Sequence, residues 1–69
     1  METIKLRDEY IKLGQALKAA NLVESGVMAK DVILAGEVRV NGEVDLRRGR
    51  KLYEGDLVSF QGEEIKIIK

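Results

Sequence analysis

Residues 36–51, Gly-Glu-Val-Arg-Val-Asn-Gly-Glu-Val-Asp-Leu-Arg-Arg-Gly-Arg-Lys, decide how this chain folds. Val38 and Val40 alternate with polar neighbours, and Asn41-Gly42 supplies the two positive-φ residues that a type I′ turn requires, so two short strands face each other across it. That makes a rigid hairpin. The second half of the stretch sets Arg47, Arg48, Arg50 and Lys51 within five residues, with Gly49 loosening the backbone among them. The nearest acids in sequence are Asp45 and Glu54, too few to neutralise four cations locally. A hairpin presenting such a loop is expected to meet phosphate.

Upstream of the hairpin the apolar spacing changes from two to three and four. Leu13, Ala16, Leu17 and Ala20 form one stripe of a helix running from Lys12 to about Ala20, with Gly14, Gln15 and Lys18 on the opposite face. Asn21 suits the left-handed residue that ends such a helix, and Leu22 and Val23 fold back over its last turn. Ser25 is the expected N-cap of a second helix, with Ala29, Val32 and Ile33 buried and Gly36 as its stop. Val27, Met28 and Leu34 lie off that stripe and fill the edges of a small core.

Working outward in the other direction, Leu52–Asp56 reads as a turn. Leu57–Phe60, Gln61-Gly62 and residues 63–69 form a second hairpin. Its last strand needs a partner to cover its edge. The only uncommitted strand is Glu2–Leu6, where Ile4 and Leu6 alternate with polar residues, so residues 2–6 are expected to pair near 64–68. Asp8 is a candidate N-cap if the first helix begins early. The fold class expected is α+β: two packed helices against a small, mostly antiparallel sheet with its terminal strands paired.

Sixty-nine residues make one small domain, 1–69, that buries only about 60% of the unfolded chain's surface. Its stability is expected at roughly 3 to 10 kcal/mol. Cysteine and histidine are both absent, which removes disulfides and thiolate or imidazole metal sites, and no cofactor is expected. No apolar run reaches the roughly 18 residues of a membrane span, and the N-terminus is too polar for a secretory segment, so a cytoplasmic monomer without membrane contact is expected. The formal net charge is zero. Its distribution is uneven: residues 12–51 carry eight basic against five acidic side chains, while the two ends together are negative. Any one of these charges is accounted for by solubility alone; the cluster at 47–51 is not, because like charges that close repel.

Catalysis has little support. The remaining nucleophiles and bases, such as Ser25, Ser59 and the carboxylates, show no nucleophile–base–orienter spacing, and there is no Gly-rich phosphate loop between a strand and a helix.

Five segments taken in order are more specific than any one of them. Leu13-Gly-Gln-Ala-Leu17, Leu22-Val-Glu-Ser25, Ala29-Lys-Asp-Val-Ile33, Gly36-Glu-Val-Arg-Val-Asn-Gly42 and Gly55-Asp56 resemble the RNA-binding domain first known from small-subunit ribosomal protein S-four, also called the αL motif. The resemblance covers about residues 11–60. The terminal strands, with Tyr10-Ile-Lys-Leu and Arg47-Arg-Gly-Arg-Lys-Leu-Tyr, are similar to the short bacterial members of the YaaA and YbcJ type, in which this domain stands alone.

The resemblance implies a non-catalytic protein that binds structured RNA of the ribosomal or transfer class, including the ribosome or its precursors. Helix pair and hairpin would form one basic face. Carried over by position, the contacts are Lys12, Lys30, Arg39, Asn41 and Gly42, joined by Lys18 as a further candidate on its charge and by Arg47, Arg48, Arg50 and Lys51 of the loop. Lysine and arginine suit phosphate, and the Asn-Gly turn lets backbone approach closely. Gly36, Asn41 and Gly42 are also required by the fold itself. The chain departs from many relatives at Gly26, where they carry arginine, and at Gly14, where they carry aspartate; lower affinity, or a contact displaced toward the 47–51 loop, follows. Because that loop reads as exposed, exchanging Arg48 and Arg50 for glutamate is expected to weaken RNA binding while leaving folding nearly unchanged. The alternative is a protein-interaction adaptor docking through Val27, Met28, Leu34 and Tyr53.

Overall fold

The helical spacing around Leu13 and the capping signal at Ser25 are realised as a packed pair, α1 (Leu13–Ala19) and α2 (Gly26–Leu34). The computed structural model describes residues 2–69. Helix α1 ends as Asn21 turns left-handed (φ 59°), with the Asn21 N–H donating to the Lys18 carbonyl and the Leu22 N–H to that of Leu17. This double bond pattern satisfies carbonyls that would otherwise be orphaned, and it carries Leu22 and Val23 back onto the core. Ser25 Oγ accepts from the Met28 N–H at 3.2 Å, capping α2. At its other end the Gly36 and Glu37 N–H groups donate to Ile33 and Val32, closing the helix in the same way.

The strands follow from period-two alternation. A five-stranded sheet has the order β1-β7-β6-β3-β4, from β1 (Glu2–Lys5), β7 (Glu63–Ile68), β6 (Leu57–Phe60), β3 (Val38–Val40) and β4 (Glu43–Val44). Both hairpins turn as expected, with positive φ at Asn41 and Gly42 and at Gln61 and Gly62. The N-terminal strand runs parallel to β7, Glu2 opposite Ile65 and Lys5 opposite Ile68, so the pairing of the terminal strands holds. At the other edge β4 has only two residues, which leaves little ladder exposed.

One face of this sheet packs on the helices. Val38, Val40, Val58, Phe60, Ile65 and Ile67 meet Leu13, Leu17, Ala29 and Ile33, nearly all without solvent exposure. Burying each such aliphatic chain contributes about 1.5–3 kcal/mol, which offsets the chain entropy lost on ordering so short a domain. Among the described residues no helix is long and apolar enough to cross a membrane.

Two local expectations are corrected here. Asp8 lies in a bend and caps nothing; α1 begins only after a short strand, β2 (Ile11–Lys12), which pairs antiparallel with β5 (Lys51–Leu52). The segment read as a turn from Leu52 therefore starts as a strand, and Leu52 is fully buried. Two-residue strands leave no alternation long enough to read, and their pairing joins segments some forty residues apart.

Candidate nucleic-acid interface

The β2–β5 ladder fixes where the basic loop goes. Beyond it the chain crosses the start of α1: the Leu13 N–H donates to the Arg50 carbonyl at 2.8 Å and the Gly14 N–H to the Arg48 carbonyl at 3.0 Å. The first amides of α1 are thus satisfied by loop carbonyls, supplemented by Gln15 Oε1, which accepts from the Lys12 N–H at 3.3 Å. Gly14, expected on the exposed face, is buried instead. A Cβ at position 14 would lie 2.8 Å from Arg48 Cγ, so the absent side chain is what lets the Arg48 stem lie across the helix.

The crossing brings distant residues together. Lys12, Gly14, Gln15, Lys18, Gly26, Ala29, Arg48 and Gly49 line one open hollow of about 400 Å³ that runs along α1 to the beginning of α2. Three cations surround a floor of small residues. Lys51 stands directly across the ladder from Lys12, adding a fourth positive charge beside it. A second hollow is lined by Arg47, Gly49, Arg50 and Lys51.

The loop's charge is only partly free. Asp45 is buried, 5% exposed, and its Oδ1 accepts from the Arg47 N–H at 2.9 Å and from Arg47 Nε at 3.1 Å. Its Oδ2 pairs with Arg47 at 2.9 Å and Arg50 at 2.8 Å. One carboxylate thus engages two of the four cations, because the chain turns Asp45 inward beneath Arg47 and Arg50, and the loop keeps a net positive charge. The Arg47 side-chain bonds, and then those of Arg50, hold the Asp45 carboxyl well below the usual carboxylate range despite the opposing cost of burial. Arg47 in turn is raised by its bonds to Asp45. Arg50 is only 28% exposed whereas Arg47 is 70% exposed. Exchanging Arg50 for glutamate would set a carboxylate against the buried Asp45, so a charge swap there cannot leave folding untouched.

The remaining candidates lie elsewhere. Lys30, Arg39, Asn41 and Gly42 line neither hollow. Arg39 bends onto its own turn, donating to the Gly42 carbonyl at 3.3 Å. Asn41 Nδ2 donates to Asp56 at 3.0 Å and Asn41 Oδ1 accepts from the Leu57 N–H at 2.9 Å, tying the first hairpin to the second. Replacing Asn41 by alanine is expected to cost about 2 kcal/mol, from the loss of both bonds and a left-handed alanine. Urea unfolding measures that loss, and RNA affinity in the still-folded variant is expected to stay close to the parent's; a large fall in affinity with unchanged stability would reverse the assignment.

Three contributors carry no sequence signal that marks them as parts of a site, or only a faint one: Gln15, Gly49 and Asp45. Only Asp45 left a trace, two residues before Arg47 and five before Arg50. Val27, Met28 and Leu34 are exposed on α2, while Tyr53 sits apart from them beside Tyr10.

The S4 domain family profile matches residues 4–68. The chain belongs to this family. It is 52% identical over 59 residues to RlbA of Bacillus subtilis (strain 168), named a probable ribosome maturation protein, with 86% of this chain and 83% of that protein aligned. It is 35% identical over 69 residues to YbcJ of Escherichia coli (strain K12), covering 99% of each. The solution structure of YbcJ, described as revealing an αL motif involved in RNA binding, superposes with a TM-score of 0.76 at 34% identity over 100% of this chain and 89% of that one. The α+β arrangement of a helix pair on a five-stranded sheet is that of the S4-type stand-alone proteins.

Proposed function

We propose that this chain binds structured RNA of the ribosomal or transfer class as a non-catalytic monomer, seating backbone phosphates in the hollow that runs along α1 to the beginning of α2. The observation that carries this reading is the convergence of Lys12, Lys18 and Arg48 around Gly14, Gly26 and Gly49. Gly26 and Gly49, exposed and without side chains, let a phosphate approach the backbone, while Gly14 seats the Arg48 stem, and the three cations supply charge-assisted bonds. Lys51 and the Asp45-anchored Arg47 and Arg50 extend the positive surface, with Lys30 and Arg39 as outlying contacts. The names of RlbA and YbcJ's described motif support the same partner class, with ribosomal RNA during maturation as the first candidate.

Folded RNA suits this surface better than duplex DNA. At the hollow α1 presents Lys18, Gly14 and a single glutamine, Gln15, beside Lys12, and α2 only Gly26 and Ala29, which is not the arginine, asparagine and glutamine series that reads bases in a major groove. Binding to a folded ribosomal RNA fragment is expected to exceed binding to duplex DNA of equal length at physiological salt, and to weaken steeply as salt rises. Filter binding or fluorescence anisotropy measures both. Equal affinity for the two would reduce the surface to general electrostatics, and a salt-independent affinity would point to apolar docking instead.

A further inference from the structure

The outer face of the β2–β5 ladder carries two tyrosines that the phosphate-binding hollow does not use, beside Lys12, which lines it, and Lys51 across the ladder. Ile11 pairs with Leu52 and Lys12 with Lys51, and just beyond the end of the ladder Tyr10 lies beside Tyr53. Leu52 is fully buried and Ile11 partly so. Alternation therefore sends Tyr10, Lys12, Lys51 and Tyr53 to the other side. The two rings lie with centroids 6.1 Å apart at 53°, and Lys51 Nζ sits 4.8 Å from the centre of the Tyr10 ring. Both rings remain open to solvent, Tyr10 at 36% and Tyr53 at 49%.

Fold stability does not account for this quartet. Lysines directly opposite one another across an antiparallel pair repel, and two large rings left at the surface gain only part of their burial energy. A nucleotide answers both features: its base stacks on a tyrosine and its phosphate neutralises the lysines. Beside Tyr10 and Lys12 lies an open hollow also bordered by Arg7, Asp8, Glu9, Gln15 and Lys69. Its cations suit phosphate, and its carboxylates can accept hydrogen bonds from the amino edges of bases.

We infer that Tyr10 and Tyr53 form a stacking platform for an unpaired RNA base, with Lys51 and Lys12 taking the adjoining phosphates. The platform rests on the RNA-binding reading and gives it a preference for RNA with unpaired bases next to a helix. Stacking of this kind tolerates any base, since every base has a π-face.

The chain has two tyrosines and no tryptophan, so its tyrosine ring protons report on these two positions alone. Proton NMR with a short oligoadenylate, against an abasic ribose-phosphate oligomer of equal length, tests the platform in the unmodified protein. The adenylate is expected to move the ring protons of both tyrosines upfield, while the abasic oligomer shifts the amides of Lys12 and Arg48 and leaves the rings in place. In parallel, Tyr10→Leu and Tyr53→Leu are each expected to weaken oligoadenylate binding by about 5- to 150-fold without changing abasic binding, and the phenylalanine variants are expected to retain it. Rings that stay in place while the lysine and arginine amides move, or that shift equally with both oligomers, overturn the platform and leave the phosphate-binding reading intact. Absence of any shift with adenylate or with folded ribosomal RNA overturns both.

Discussion

Replacing Lys12 and Arg48 together by glutamate is expected to weaken binding to structured RNA by more than about a hundredfold, since two charge-assisted bonds at about 1.5–3 kcal/mol each amount to about 3 kcal/mol or more and both are reversed in sign. The salt dependence is expected to flatten as well, by about 0.7 to 0.9 log units of slope for each phosphate that is no longer neutralised. Both side chains are exposed, so folding should change little. Lys12→Glu even relieves the like charge it faces at Lys51, whereas Arg48→Glu gives up the aliphatic stem that covers Gly14. The same exchange at Lys5 and Lys66, on the paired terminal strands, controls for net charge. Arg50 is kept out of the test because Asp45 holds it. Equal weakening in the two double variants, or an unchanged salt slope in the first, would move the RNA-binding surface away from this hollow.

Asp45→Ala is expected to be the most damaging single change to the loop, costing about 1.5–3 kcal/mol in urea unfolding at neutral pH. The lower part of that range is favoured because one of its two partners, Arg47, is largely in water and its attraction is screened. Against a total of roughly 3 to 10 kcal/mol this is a substantial fraction. The pH dependence has a definite sign. Asp45 is depressed in the folded chain below the unfolded carboxylate value of about 3.9, so its contribution is fully present above that value. It is lost as pH falls below about 4 toward the folded value, because there the unfolded chain binds a proton that the folded chain refuses. Other carboxylates titrate over the same window, but the difference between the parent and Asp45→Asn isolates this one. That difference is expected to shrink on acidification; a gap that stays constant from neutral pH to about pH 2 would show that Asp45 holds the arginines by shape alone.

How much of this could be read from the chain itself depends on the distance over which each feature is specified. The helix ends were legible because their causes are local. Asn21, Ser25 and Gly36 act on amides and carbonyls within five residues, and each occupies the position its chemistry calls for. The two turns, Asn41-Gly42 and Gln61-Gly62, were legible for the same reason, and the hydrophobic alternation of β3, β6 and β7 fixed which faces turn inward. The docking of β1 on β7 was accessible by elimination, as the one strand left to cover an open edge, but its parallel direction was not.

The site was legible only as an inventory of cations. Lys12, Lys18, Arg48 and Lys51 were all visible in the sequence, but nothing local says that the 47–50 loop crosses α1, that Gly14 lies beneath Arg48, or that Tyr10 faces Tyr53. Those depend on a two-residue ladder between segments some forty residues apart, too short to leave a periodic signal and stable only because Leu52 is buried beneath it. Asp45 makes the same point in electrostatics. In sequence it is one acid beside three arginines and is outnumbered; in the fold it is turned inward, where two arginines converge on its oxygens and leave Arg48 free to lie in the hollow. The sequence determined by itself the two helices and their caps, the two hairpins and where the cations cluster, because these are set by neighbours along the chain. Which charges stand together and which are already paired was decided only by tertiary packing, because that choice is made between segments whose proximity no local interaction encodes.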